Sequence, residues 1–318
     1  MEHKLKVHNK SSEFNPLRGS VLTIGTFDGV HLGHRKILSQ VVDEAKAQDL
    51  NAVLLTFFPH PRMVVQKETD LKLLNTLDEK IEQLERLGVD HLVVQPFTKE
   101  FSRLTAIEYV RDLLVNQLKA KKIVIGYDHR FGRNRTANIN DLIEFGEVFG
   151  FEVAEISAQQ KDAVAISSTK IRKALDSGDI DTANTYLGSY YPLSGVVIRG
   201  QSLGNTMGYP TANFVIEESY KLCPKQGVYL SSAIIDQKQY FGVTNIGTNP
   251  TVGGVDQRVE THFLGLDADL YGRRLQIKLL SRIRDQKTFP DLNTLQSAIA
   301  ADIEQAKSLI PKFNDGVV

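Results

Sequence analysis

The sequence predicts an α/β domain with a parallel sheet, followed by an all-β domain: an antiparallel β-barrel that carries a C-terminal helix. Three observations point there. The first half alternates almost wholly apolar runs with amphipathic helical stripes, the pattern of a sheet covered on both faces. Near Gly188–Pro192 the composition shifts towards Gly, Val, Ile, Thr and Tyr. Beyond that point strand-length runs follow one another with Gly and Pro at the turns, as in closed antiparallel sheets. A chain of 318 residues exceeds what one core usually fills, so the expected domains are residues 1–187 and 188–318.

In the first domain the strand-like runs are Val21–Ile24, Ala52–Phe58, His91–Val94, Ile123–Gly126 and Phe151–Ile156. Thr76-Leu77-Asp78-Glu79 and Thr105-Ala106-Ile107-Glu108 have the spacing of helix capping boxes. Each precedes an apolar stripe: Ile81, Leu84 and Leu87, then Val110, Leu113, Leu114 and Leu118. Gly88 stands where a C′ glycine would close the first of these helices. Two short helices, at 168–176 and 179–187, end the domain. The barrel strands are expected at Gly195–Arg199, Asn213–Ile216, Val228–Ile235, Tyr240–Asn245, Glu260–Leu266 and Leu275–Leu280. The closing segment Leu292–Leu309 repeats apolar residues at Leu295, Ile299, Ile303 and Ala306, a helical stripe that packs on the barrel.

Composition excludes several classes. Basic and acidic residues both number 38, so no sequence-wide field recruits nucleic acid or an anionic membrane. Cys223 is the only cysteine, which rules out an intramolecular disulfide and a cysteine-rich zinc site. No apolar run approaches the ~18 residues of a membrane span, and the polar stretch Met1–Asn15 contains no apolar signal region. The expectation is a cytoplasmic protein, monomeric or weakly self-associating, with no nucleic-acid or membrane partner.

Two segments carry chemistry. Gly25-Thr26-Phe27-Asp28-Gly29-Val30-His31-Leu32-Gly33-His34 lies between an apolar strand and a helix. Glycines there let the backbone approach a phosphate, and the helix N-terminus offers free N–H groups. Spacing of three brings His31 and His34 to one helix face. They could form a structural pair or a metal pair, but no further ligand is spaced for a metal, and phosphate contact suits the Gly-rich setting better. The second segment, Pro210-Thr211-Ala212-Asn213, follows glycines at 200, 204 and 208. Alone it reads as a turn entering a strand; after those glycines it also reads as a phosphate-covering loop.

The first segment resembles the signature of the FMN adenylyltransferase domain of prokaryotic bifunctional riboflavin kinase/FAD synthetases. Three further segments match that family in order: Thr56-Phe57-Phe58-Pro59-His60-Pro61, Gly126-Tyr127-Asp128-His129-Arg130-Phe131-Gly132 and Ile166-Ser167-Ser168-Thr169-Lys170-Ile171-Arg172. The resemblance implies a Rossmann-like nucleotidyltransferase domain. In it Gly25, Phe27, Gly29, Ser168, Thr169 and Arg172 meet ATP, and His31 and His34 stabilise charge on the transferring phosphorus. Pro59, His60, Asp128 and Phe131 then lie along the flavin. Ser168 and Thr169 taken alone would be an ordinary helix cap. The acceptor, a phosphate, is already anionic, which agrees with a motif rich in donors and poor in bases.

The second half resembles the riboflavin kinase domain. Its landmarks continue through Gly227-Val228-Tyr229, Gly242-Val243-Thr244-Asn245-Ile246-Gly247, Val259-Glu260-Thr261-His262 and Asp269-Leu270-Tyr271-Gly272. The resemblance implies that Thr211 and Asn213 hold Mg²⁺ with ATP as co-substrate, and that Gly200, Gly204 and Gly208 cover the nucleotide. Arg284 is a flavin contact on the same ground, and no tightly bound prosthetic group is implied. Here the acceptor is a neutral hydroxyl, so a base helps, and Glu260 is the matched candidate. Without the match Glu260 would read as a solvent-facing strand carboxylate. Four positions depart from the family pattern: His129, Ala137, Val252 and Gly265. The expected activity is phosphorylation of riboflavin to FMN and adenylylation of FMN to FAD. The alternatives are a chain that keeps one of the two steps, or a flavin-binding regulator.

Overall fold

The structure, a computed structural model, describes residues 4–66, 70–126, 129–155, 166–200, 208–251 and 254–313. Its contacts group into two compact units, Met1–Leu73 with Leu77–Ser167, and Leu74–Thr76 with Ser168–Val318.

The first unit is the expected parallel sheet. Its strands are β1 (Lys6–His8), β2 (Ser20–Ile24), β3 (Asn51–Phe58), β4 (His91–Pro96), β5 (Ala120–Ile125) and β6 (Glu152–Glu155), in the spatial order β1-β4-β3-β2-β5-β6. Every neighbouring pair is parallel. The helices are α1 (Leu32–Ala47), α2 (Pro61–Val65), α3 (Leu77–Arg86), α4 and α5 (Ile139–Phe149). α4 opens at Ala106–Glu108 with the expected capping box on Thr105 and continues as a π-helix over Tyr109–Gln117. Gly88, at φ +78°, follows α3 as the expected closing glycine.

Alternation along the strands fills both faces. Leu22, Ile24, Val53, Leu55, Ile123 and Ile125 pack with α4 and α5 on one side. Val21, Ala52, Leu54, Leu92 and Val124 pack with α1 and α3 on the other. The edge strand β1 escaped the sequence reading because Lys6-Val7-His8 is too short to show a period.

The second unit begins with α6 (Ser168–Ser177) and α7 (Ile180–Leu187), two helices that composition alone had assigned to the first domain. Asn184 of α7 donates from Nδ2 to the Leu279 carbonyl at 2.9 Å and accepts at Oδ1 from Tyr191 N at 2.8 Å, which binds it to the barrel. The barrel strands are β7 (Tyr191–Ile198), β8 (Ala212–Val215), β9 (Gly227–Ile235), β10 (Lys238–Thr251), β11 (Gly254–Phe263) and β12 (Arg274–Arg284). They close in the order β10-β11-β8-β7-β12-β9. β10 and β11 pair from Gly242 opposite Phe263 to Thr251 opposite Gly254, a longer hairpin than the sequence indicated. The C-terminal helix α8 (Leu292–Leu309) sets Ile303 and Ala306 against Val228, Leu230, Val243 and Leu280.

Inside the barrel three buried hydroxyls form a chain. Ser231 Oγ donates to the Gly242 carbonyl at 3.2 Å, and that acceptor fixes the direction of the rest. Thr244 Oγ1 then donates to Ser231 Oγ at 2.7 Å, and Thr261 Oγ1 donates to Thr244 Oγ1 at 2.8 Å. Replacing Thr244 with valine keeps the shape, strips Thr261 of its acceptor and leaves Ser231 without a donor. Thermal or denaturant unfolding of Thr244→Val should show a loss of about 1–3 kcal/mol.

Candidate active sites

In the parallel sheet the order reverses between β2 and β5, and ligands of such sheets bind at the carboxyl ends beside that switch point. β2 ends there and turns through residues 25–30 into α1. Gly25 N donates to the Leu55 carbonyl at 3.0 Å, and a Cβ on Gly25 would stand 3.0 Å from the Phe27 ring. Phe27, Gly29 and Val30 adopt φ of +45°, +89° and +39°, a backbone region costly for the two non-glycines. The Thr26 carbonyl accepts from Thr56 Oγ1 at 3.2 Å and from Lys80 Nζ at 2.7 Å.

His31 caps α1, its Nδ1 accepting from His34 N at 3.4 Å. With Nδ1 as acceptor, the neutral ring carries its proton on Nε2 and presents a donor. The two imidazoles stack, with centroids 3.6 Å apart and planes 16° from parallel, and Phe27 lies 4.6 Å from His34. Burial pushes the His31 pKa down to about 4. His34 falls well below the ordinary range, through burial first and then through His31 and Lys80. Both rings are therefore uncharged at neutral pH. His34 Nδ1 is buried with no hydrogen-bond partner among the described residues. What the turn offers is a set of neutral N–H donors at a helix N-terminus.

The loops expected along a flavin start at the carboxyl ends of neighbouring strands. Pro59 follows Phe58 through a cis peptide, and His60 caps α2, its Nδ1 accepting from Arg62 N at 3.1 Å. Asp128 lies outside the described residues. Phe131 is 5% exposed and packs within the core beside Tyr109, with the His129 ring 6.0 Å away. Ser168, Thr169 and Arg172 occupy the start of α6, which groups with the second unit.

The barrel brings a second set together. Asn213 on β8 lies opposite Glu260 on β11, and Glu260 lies opposite Asn245 on β10. Directly opposed residues share a face, so the three side chains form one row across three strands. Their neighbours Val259 and Thr261 are buried, whereas all three members of the row are half-buried. Gly200 is fitted against this row: a Cβ there would stand 2.3 Å from Asn213 Nδ2. Burial raises the Glu260 pKa, opposed by Arg258, whose Nη1 is 4.0 Å from Oε1. His262 Nδ1 lies 2.8 Å from the Pro210 carbonyl and pins the turn that carries Thr211. Gly208 takes φ +83° just before that turn, and Gly204 lies outside the described residues.

Arg284 is engaged in the fold. Its guanidinium forks onto Asp302 of α8, Nε to Oδ1 at 2.8 Å and Nη2 to Oδ2 at 2.7 Å. Two residues escaped the sequence reading. Lys80 is not singled out by the sequence, because nothing in the pattern around it signals burial. Asn245 stood inside a quoted landmark, but its place beside Glu260 needs the strand register.

Comparison with known proteins assigns both halves of the chain to families. The FAD synthetase family model matches residues 14–170, and the riboflavin kinase model matches residues 187–310. A bifunctional riboflavin kinase/FMN adenylyltransferase from Escherichia coli (strain K12) is 37% identical over 297 residues, covering 93% of this chain and 94% of its own. The chain belongs to the bifunctional riboflavin kinase/FMN adenylyltransferase family. Members from Haemophilus influenzae and Listeria monocytogenes are 36% and 34% identical, over 92% and 93% of this chain and 94% of each relative. A crystal structure of a Streptococcus pneumoniae chain described as a macrolide-efflux protein has the same fold, with TM-score 0.85 and 29% identity. It covers 95% of this chain and 98% of that one. Among the described residues no helix is long and apolar enough to cross a membrane.

The depressed histidines set a pH dependence. A histidine whose folded pKa lies below its ordinary 6.5 binds protons more readily when unfolded. His31, and His91 at about 4 beside His8, therefore cost no stability above pH 6.5 and destabilise the fold as pH falls from 6.5 towards 4. Melting of the first unit should drop across that window, by up to about 1.4 kcal/mol per pH unit for each histidine. Replacing His91 with asparagine should flatten the slope.

Proposed function

We propose that the two sites perform consecutive steps on one flavin with different chemical means. The barrel phosphorylates riboflavin. The Glu260 carboxylate accepts the proton of the ribityl hydroxyl as its oxygen attacks the γ-phosphorus of ATP, and ADP leaves. In the first unit a phosphate oxygen of FMN attacks the α-phosphorus of ATP, forming FAD while the bond to the pyrophosphate breaks. No proton needs removing there, and neutral donors from His31, His34 and the start of α1 offset the repulsion between the two anions. The observation that carries this reading is the contrast between the sites: a half-buried carboxylate in register with Asn213, against two uncharged imidazoles.

Thr211 and Asn213 suit Mg²⁺ bound with ATP. They are small oxygen donors, and the glycine at 200, where a Cβ would strike Asn213, keeps the space beside them clear. Mg²⁺ retains waters and takes few protein ligands, and when bound it neutralises phosphate charge. Ser168, Thr169 and Arg172 are assigned to ATP phosphates on the family match, as are Gly25, Phe27, Gly29, Gly200, Gly204 and Gly208. Pro59, His60 and Asp128 are assigned to the flavin on the same ground. Phe131 and Arg284 share that assignment; Phe131 packs in the core, and Arg284 pairs with Asp302. Balanced charge, a single cysteine and the lack of a spanning helix among the described residues support a cytoplasmic location.

Purified protein given riboflavin, ATP and Mg²⁺ should make FMN and then FAD, resolved by chromatography. Glu260→Gln should slow the first step by about 10²–10⁴-fold and leave FAD formation from supplied FMN intact. His31→Ala and His34→Ala should do the reverse, with losses of about 10–10³-fold. Unchanged FAD formation in both histidine variants would remove the first assignment, and an active Glu260→Gln kinase would remove the second.

A further inference from the structure

Lys80 is a lysine where lysine is expensive. It stands in α3, and only 9% of the residue is exposed. Leaving water with a charge is unfavourable unless partners replace the hydration. Its Nζ donates to the Thr26 carbonyl at 2.7 Å. Burial lowers its pKa and the carboxylate of Asp28, itself 3% exposed, raises it. Both groups belong to the turn that leads into the histidine pair.

The position of that carbonyl gives the contact its reach. Thr26 O also accepts from Thr56 Oγ1 at the end of β3, so donors from two elements fix the peptide that precedes Phe27. Phe27 sits at φ +45° and packs its ring on His34, which stacks on His31. A chain of contacts thus runs from Lys80 through Thr26 and Phe27 to both imidazoles. The Lys80 charge also acts on His34, lowering its pKa alongside burial and His31.

We propose that Lys80 is a positioning residue of the adenylyltransferase site, which holds the Thr26 carbonyl so that the turn sets the His31–His34 stack for nucleotide phosphates. The inference rests on the adenylyltransferase reading of the first unit. A residue of this kind acts on turnover more than on flavin affinity, whereas a lysine that merely supports the fold would change melting and leave the turnover of folded molecules alone.

The test uses the full chain with Lys80→Met, which keeps the length and loses charge and donor, and Lys80→Gln, which keeps a donor. For FAD formation from FMN, Lys80→Met should lower kcat by about tenfold or more, with KM for FMN and the riboflavin kinase step both within about twofold of wild type. Lys80→Gln should fall between Met and wild type. If Lys80→Met does not fold, Lys80→Gln carries the test, with a kcat loss of about threefold or more at unchanged KM. Wild-type kcat in the folded variants overturns the proposal, as does a parallel loss of both activities with a lowered melting temperature. A wild-type chain that forms FMN but no FAD would instead overturn the functional reading beneath it.

Discussion

The stacked imidazoles of the first unit depend on the turn between β2 and α1, and that turn is held against its own backbone preference. Phe27 and Val30 lie in a region that costs a non-glycine residue about 1–3 kcal/mol each. They are also 4% and 0% exposed, and burial of such side chains returns roughly 1.5–3 kcal/mol each. The two effects are of similar size, so packing offsets the strain. Gly29, between them, reaches φ +89° without that cost. The same Phe27 side chain that anchors the turn also presses on His34, so core packing and site geometry are one arrangement.

The two sites divide along the charge of their acceptors. An anionic phosphate needs orientation and donors, and in the reading proposed above the buried imidazoles at the start of α1, whose pKa values burial lowers, are those donors. A ribityl hydroxyl needs somewhere for its proton to go, and Glu260, the base proposed above, stands where burial raises its pKa. The family relationship covers both halves, which agrees with the order of the steps, because the product of the barrel is the substrate of the sheet domain.

Much of this was legible in the sequence, and the exceptions share a cause. Apolar runs such as Ala52–Phe58 and capping residues such as Thr105 act locally, so they announced β3 and α4. The ordered motifs placed His31, His34, Asn213 and Glu260 correctly on their elements. Properties set by distant contacts stayed hidden. The resemblance sets Phe131 and Arg284 along the flavin, whereas the core packing of Phe131 and the pairing of Arg284 with Asp302 of α8 depend on distant contacts. Likewise α6 and α7 resemble the helices before them in composition, and only their contacts group them with the barrel. Lys80 is the clearest case, since no periodicity tells a buried lysine from a solvated one.

The row Asn213–Glu260–Asn245 has a consequence for how this barrel can change. Strand residues alternate faces, so sliding β11 by a single position against β8 and β10 would turn Glu260 inward and bring Thr261 out. Thr261 would leave the hydroxyl chain in the same movement, and a carboxylate would face Ser231 and Thr244 in its place. The buried hydroxyls therefore act as a registration mark for the outer surface. Drift in strand alignment is penalised inside the barrel before it can displace Glu260 from its place between Asn213 and Asn245.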